Sequence, residues 1–235
     1  MRTAAYVKRL LLNVGFDFKR APRGEYPYGR DAFYDMRHLT GRESRPTIFD
    51  VGANIGQSID TFRGYFKSPI IHSFEPGDSA FHELREHTRG VPDLILNKLA
   101  LGSRCEQKTF FENSFSDMSS FLELGKDGYG DVRTKTETEI GTIDTYCTRS
   151  RVGGIDILKI DTQGFDVEVI KGAVGMLRNR RVHLIYTEVT FADIYKRLPR
   201  IDELFAILLD NDFHLVSFYE IHHKGGKHHG LTLSS

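Results

Sequence analysis

"IFDVGANIGQS", residues 48–58, is an apolar run that meets an acid and passes straight into a glycine-spaced turn. In a doubly wound sheet the ligand sits outside the carboxyl ends of the strands, and the first strand-to-helix turn faces it. A dinucleotide-binding turn would read G-x-G-x-x-G, with a middle glycine that lets the backbone approach a pyrophosphate. Here the order is Gly52, Asn54, Gly56. A side chain at Asn54 obstructs that approach, while asparagine tolerates the left-handed backbone of a tight turn. The site therefore need not hold a diphosphate.

Outward from this turn, short apolar runs alternate with helical periodicity. "TIFDV" (47–51) leads to a helix over 56–66, "IIHSF" (70–74) to a helix over 78–89, and "DLILNKLAL" (93–101) makes a third strand. The stretch 103–140 is polar, with one strand near "KTFFEN" (108–113) and a loose "SFSDMSS" (114–120), and reads as a cap-like insertion over the sheet edge. Order returns with "IDILKID" (155–161), a helix over about 165–177, "VHLIYTEV" (182–189), a helix over about 201–210 and "FHLVSF" (213–218). This alternation predicts an α/β fold with a mostly parallel sheet covered by helices on both faces. Residues 1–45, an amphipathic helix followed by the Gly/Pro-punctuated "KRAPRGEYPYGRD" (19–31), read as a leader or lid. Residues 46–235 form the main domain.

The 235 residues, 40% hydrophobic and 27% charged, suit one sizeable core. Thirty-two basic residues balance thirty-two acidic ones, so no overall field favours nucleic acid or anionic lipid. Cys105 and Cys147 are too few for a disulfide framework and fit a reducing, cytoplasmic setting. No run reaches the roughly eighteen apolar residues of a membrane span. The histidines of "HHKGGKHHGLTLSS" (222–235) lack the fixed spacing of a metal site and read as a hairpin turn or chain end.

Strand two ends in "HSFEPG" (72–77) and places Glu75 twenty-five residues after Asp50, where an acid accepts hydrogen bonds from ribose hydroxyls. Adding Asp50 for an ammonium group points to an adenosine with an amino-acid tail, S-adenosylmethionine. "FDVGANIGQS", "FEPG", "NKLALGS", "DILKIDTQGFDVEVIKGA" and "IYTEVTF", in this order, resemble the FkbM family of S-adenosylmethionine-dependent methyltransferases over roughly residues 46–219. The resemblance implies a class I, Rossmann-like methyltransferase fold with a seven-stranded sheet ending in an antiparallel hairpin, and O-methylation of sugar or polyketide hydroxyls. It implies cofactor contacts at Asp50, Gly52, Asn54, Gly56 and Glu75, with Ala53 and Pro76 inside the same motifs and Ala100 and Leu101 beside the adenine. "GLTLSS" is a weaker last strand than the family's, so the seventh strand here is expected to be short.

Methyl transfer to an alcohol needs a base for the departing proton. Asp161 and Glu188 end their strands at the ligand-facing side, whereas His183 lies roughly 16 Å lower on its strand. Lys159 shares a strand face with Asp161 and joins the two as a catalytic candidate, the alternative being a structural ion pair. Gln163, Ser119 and Tyr34 are candidates for the acceptor, and Phe110, Phe115 and Phe121 for the pocket wall. Two carboxylates fall short of a metal set, so no metal is assigned. The expected partner is a small-molecule or glycan acceptor, with neither nucleic acid nor a membrane span, and the oligomeric state is not encoded legibly. A non-catalytic S-adenosylmethionine-binding protein and a nicotinamide oxidoreductase remain as alternatives.

Overall fold

The computed structural model describes residues 28–41, 45–222 and 232–233. Its elements run α1 Ala32–Thr40, β1 Thr47–Val51, α2 Gln57–Tyr65, β2 Ile70–Phe74, α3 Asp78–His87, β3 Leu94–Asn97, β4 Ala100–Leu101, β5 Glu106–Asn113, β6 Val132–Gly141, α4 Ile143–Ser150, β7 Ile155–Ile160, α5 Asp166–Lys171, α6 Val174–Arg178, β8 Val182–Thr187, α7 Ile201–Leu209, β9 Ile221–His222 and β10 Thr232–Leu233.

The main sheet has the order β3-β2-β1-β7-β8, and every pair in it is parallel. The chain builds outward from β1 to β3 and then returns to the other side of β1 as β7. The switch point therefore falls between β1 and β7, where a parallel sheet offers a crevice. Because successive strand residues face opposite sides, Ile48, Ile71 and Ile157 join Ile59, Phe62 and Leu84 in one core. Phe49, Phe74 and Leu158 join Leu101, Ile143 and Ile170 in the other. Each of these large side chains stabilises the fold by about 1.5–3 kcal/mol through burial. That two-sided burial is why β1, β2 and β7 read as apolar runs rather than as alternation.

Four expectations are corrected. The main sheet has five strands among the described residues, not seven. β9 and β10 pair antiparallel with each other alone. "FHLVSF" joins no ladder; Phe213, Leu215, Val216 and Phe218 instead line an apolar groove of about 370 Å³ against Met36, Leu184, Tyr186 and Leu204. "DLILNKLAL" is two strands, since β4 leaves the main sheet and pairs with β6, which also pairs antiparallel with β5. The helix over 165–177 is broken into α5 and α6. At Gly172 the helix touches Gly102 so closely that a Cβ would overlap the Gly102 carbonyl oxygen.

The expected helix at residues 1–16 and most of the histidine-rich tail lie outside the described residues. α1 is seated by Phe33, whose ring meets those of Phe62, Tyr65 and Tyr186 at 5.2–6.0 Å. Its amino end is capped by Asp31, which accepts from Tyr34 N at 2.8 Å. No helix among the described residues is long and apolar enough to cross a membrane.

Candidate active site

At the carboxyl end of β1 the chain turns under tight constraint. Gly52 and Ala53 donate their amides to the Phe74 carbonyl at 3.0 and 3.1 Å. Gly52 has φ +78°, and a Cβ there would overlap the backbone oxygen of Asp161. The requirement for glycine thus comes from contact between the ends of β1 and β7. Asn54 adopts φ +47°, the left-handed conformation its position calls for. Gly56, at φ +102°, starts α2 and packs on Leu84.

Glu75 ties this turn to the next one. Its Oε2 accepts from Asn54 N at 3.0 Å and its Oε1 from Gly77 N at 2.8 Å. Burial pushes its carboxyl up to about 7, although the Gly77 and Asn54 amides and the Lys159 charge pull the other way. Between the carboxyl's ordinary 4.5 and about 7, the folded protein holds more protons than the unfolded chain. Stability is then greatest below this window and falls as the pH rises through it. Glu75 contributes up to roughly 3 kcal/mol to that fall. Thermal melts of the ligand-free protein from pH 4.5 to 8 are expected to show the decline, and Glu75→Gln should make it shallower, leaving the part contributed by Glu188, whose carboxyl is also raised. An unchanged slope in the variant would show that Glu75 does not titrate there.

The strand register sets Asp50 opposite Lys159. Asp50 is fully buried, and its carboxylate lies 3.1 Å from Lys159 Nζ and accepts from Ser58 Oγ at 2.6 Å. Lys159 also donates to Gly52 O at 3.1 Å and stands 3.6 Å from Asp161 Oδ2. Burial opposes its charge, but Asp50 and Asp161 outweigh that and hold the ammonium above its usual range. The position opposite Asp50 that sequence reasoning gave to a cofactor ammonium is therefore filled by the chain's own lysine.

Asp161 begins the turn after β7 and keeps 39% of its side chain exposed. Together with Asn54, Glu75, Pro76, Ala100 and Leu101 it lines a cavity of about 80 Å³ over the switch point. Asn54 Oδ1 is buried there without a hydrogen-bond donor. The insertion supplies Phe110, Asp117, Ser119 and Phe121 to the same wall. Phe121 lies between Phe110 and Phe165 with ring centroids 4.9 and 5.0 Å away.

The structure does not bring all the candidates together. Ala53 lies in the core beneath the turn, and Asp50, Gly56 and Lys159 stand behind the cavity rather than on its wall. Glu188 lines a separate cavity of about 40 Å³ with Asp166, Thr190 and Arg200. Burial and the nearby Asp161 and Asp166 push its carboxyl up to about 7. Tyr34, on α1, is 43% exposed and lies away from the cavity wall. Ser119 Oγ accepts from Asn113 N at 3.0 Å, bracing the wall. Gln163 turns its amide onto Asp161, with Nε2 donating to Oδ1 at 2.9 Å. Tyr195, which sequence reasoning missed, donates to Gln163 Oε1 at 2.9 Å. It lies in the irregular chain after β8, where no periodicity marks it.

A parallel α/β sheet with a cavity over its switch point has the architecture in which doubly wound folds place their ligands. Residues 50–215 match the methyltransferase FkbM domain, and the chain belongs to that family. It is thus an S-adenosylmethionine-dependent methyltransferase. Among curated proteins it is similar to the 2-O-methyltransferase NoeI of Sinorhizobium fredii, with 25% identity over 166 residues, covering 66% of this chain and 68% of that protein. Two solved structures show distant likeness. Aeropyrum pernix fibrillarin with natively bound S-adenosyl-L-methionine has a TM-score of 0.35 and 14% identity, covering 91% of this chain and 85% of that one. A putative rRNA-methylase from Clostridium thermocellum has a TM-score of 0.25 and 11% identity, covering 47% of this chain, which spans 60% of that chain's length.

Proposed function

We propose that this protein is an O-methyltransferase acting on a hydroxyl of a saccharide, a glycoconjugate or a polyketide-type small molecule. The observation that carries this reading is the partly exposed Asp161 carboxylate, which shares one cavity with Glu75. The residues present fit the cofactor. Glu75 retains lone pairs beyond its two backbone bonds, and Asn54 Oδ1 is a buried acceptor awaiting a donor. A ligand bearing hydroxyl and ammonium donors satisfies both, and Ala100 and Leu101 offer an apolar wall to a base. Bound there, S-adenosylmethionine supplies an electrophilic methyl group.

Asp161 accepts the proton of the attacking hydroxyl, with the Lys159 ammonium 3.6 Å behind its carboxylate. Carboxylates at the mouth, Asp117 and Asp161, oppose a phosphodiester. This supports a neutral or glycan acceptor over nucleic acid. The similarity to a 2-O-methyltransferase supports oxygen as the atom methylated.

The test has two arms. Tritiated methyl transfer from S-adenosylmethionine is measured on a panel of mono- to tetrasaccharides and macrolide aglycones, and incorporation into none of them counts against this acceptor class. By calorimetry, Glu75→Ala is expected to weaken S-adenosylmethionine binding by about 1.5–3 kcal/mol, roughly tenfold or more. Unchanged affinity in the folded variant would remove Glu75 from the site.

A further inference from the structure

The Asp161 carboxylate is held by a chain of hydrogen bonds through two uncharged side chains. Gln163 Nε2 donates to Asp161 Oδ1 at 2.9 Å, and Tyr195 Oη donates to Gln163 Oε1 at 2.9 Å. The direction of this chain is fixed by chemistry. A carboxylate accepts only, so the Gln163 amide must turn its NH₂ group toward Asp161, and its oxygen is then free to accept only from the phenol. Gln163 is itself pinned in a left-handed backbone conformation, φ +54°, with Ser120 Oγ donating to its carbonyl at 2.7 Å. Tyr195 is 4% exposed. The strand-like bridge between Leu124 and Tyr195 and the bond from Lys196 N to Glu123 O at 2.8 Å tie it to the insertion. Burial and the surrounding acids raise the phenol's pKa, so it remains a donor.

We infer that Gln163 and Tyr195 are positioning residues for methyl transfer, forming a relay through which the insertion and the chain after β8 fix the orientation of the Asp161 carboxylate. The inference rests on Asp161 as the proton acceptor. It assigns Gln163 to the carboxylate rather than to the acceptor, and it gives the chain after β8 a role in the chemistry. A misplacement of about 1 Å in a reacting group costs on the order of 100-fold in rate, so a hydroxyl remote from the acceptor can matter.

The deciding measurement uses the full chain and needs no acceptor. The ¹⁵N side-chain amide pair of Gln163, assigned by its loss in Gln163→Met, is expected to exchange slowly with water. Tyr195→Phe removes one oxygen and should speed that exchange roughly tenfold, the worth of one hydrogen bond. Unchanged exchange overturns the relay. With a saccharide that accepts the tritiated methyl group, Tyr195→Phe should lower kcat by about 10- to 100-fold while leaving the S-adenosylmethionine Kd unchanged. In a Gln163→Met background the same change should cost nothing further, and additive losses overturn the relay. If Asp161→Asn keeps full activity, the base assignment has failed, whatever the amide exchange shows. If Asp161→Asn is inactive and Tyr195→Phe is neutral, the relay alone has failed.

Discussion

Lys159→Met is expected to destabilise the protein by about 3–5 kcal/mol, because removing one partner of a buried ion pair strands the other. Asp50 is fully buried and meets the ammonium at 3.1 Å. With the ammonium gone, its carboxylate keeps only the Ser58 hydroxyl, and the Gly52 carbonyl loses the donor that holds the turn. Urea unfolding should show the loss as a lower midpoint at an unchanged slope. Pairing the change with Asp50→Asn should recover much of it, since a neutral side chain can still accept from Ser58 and no charge is left in the core. A loss below about 1 kcal/mol in the single variant would place this pair in the range of exposed salt bridges and contradict its burial.

That pair marks a boundary of what the amino-acid order reveals. Asp50 and Lys159 are 109 residues apart, and only the parallel register of β1 with β7 sets them side by side. Local spacing therefore exposed the acid but not its partner, and the ammonium was sought in a ligand. Asn54 was legible because a Gly-x-Asn-x-Gly turn has few backbone solutions. Glu75 was legible because strand length alone carries it to the crevice, whereas its bond to Asn54 N depends on two turns meeting. β6 stayed hidden because "VRTKTETEIG" is polar along most of its length and gives no apolar alternation. Asp161 and Glu188 looked equivalent as strand-end carboxylates. Strand order separates them, since β7 adjoins the switch point and β8 lies outside it, so they line different cavities.

The same separation sharpens the expected behaviour of Asp161→Asn. Asparagine keeps the shape of the side chain and removes the proposed proton acceptor, so turnover on any saccharide the protein methylates should fall by about 10²- to 10⁴-fold. Folding should survive. Lys159 is closer to Asp50, at 3.1 Å, than to Asp161, at 3.6 Å, and it keeps the Gly52 carbonyl as well, so the buried ammonium remains paired. Cofactor affinity should also survive, because Glu75, the acid proposed to hold the ribose, directly follows β2 and is braced by Asn54 and Gly77 rather than by Asp161. Single-turnover kinetics beside calorimetry on one preparation separates these effects. Loss of binding together with turnover would mean that Asp161 holds the cofactor rather than the acceptor proton. Full turnover would pass the role to another group, and Glu188, whose carboxyl is pushed up to about 7, would have to reach the acceptor from its own cavity across the Asp161 turn.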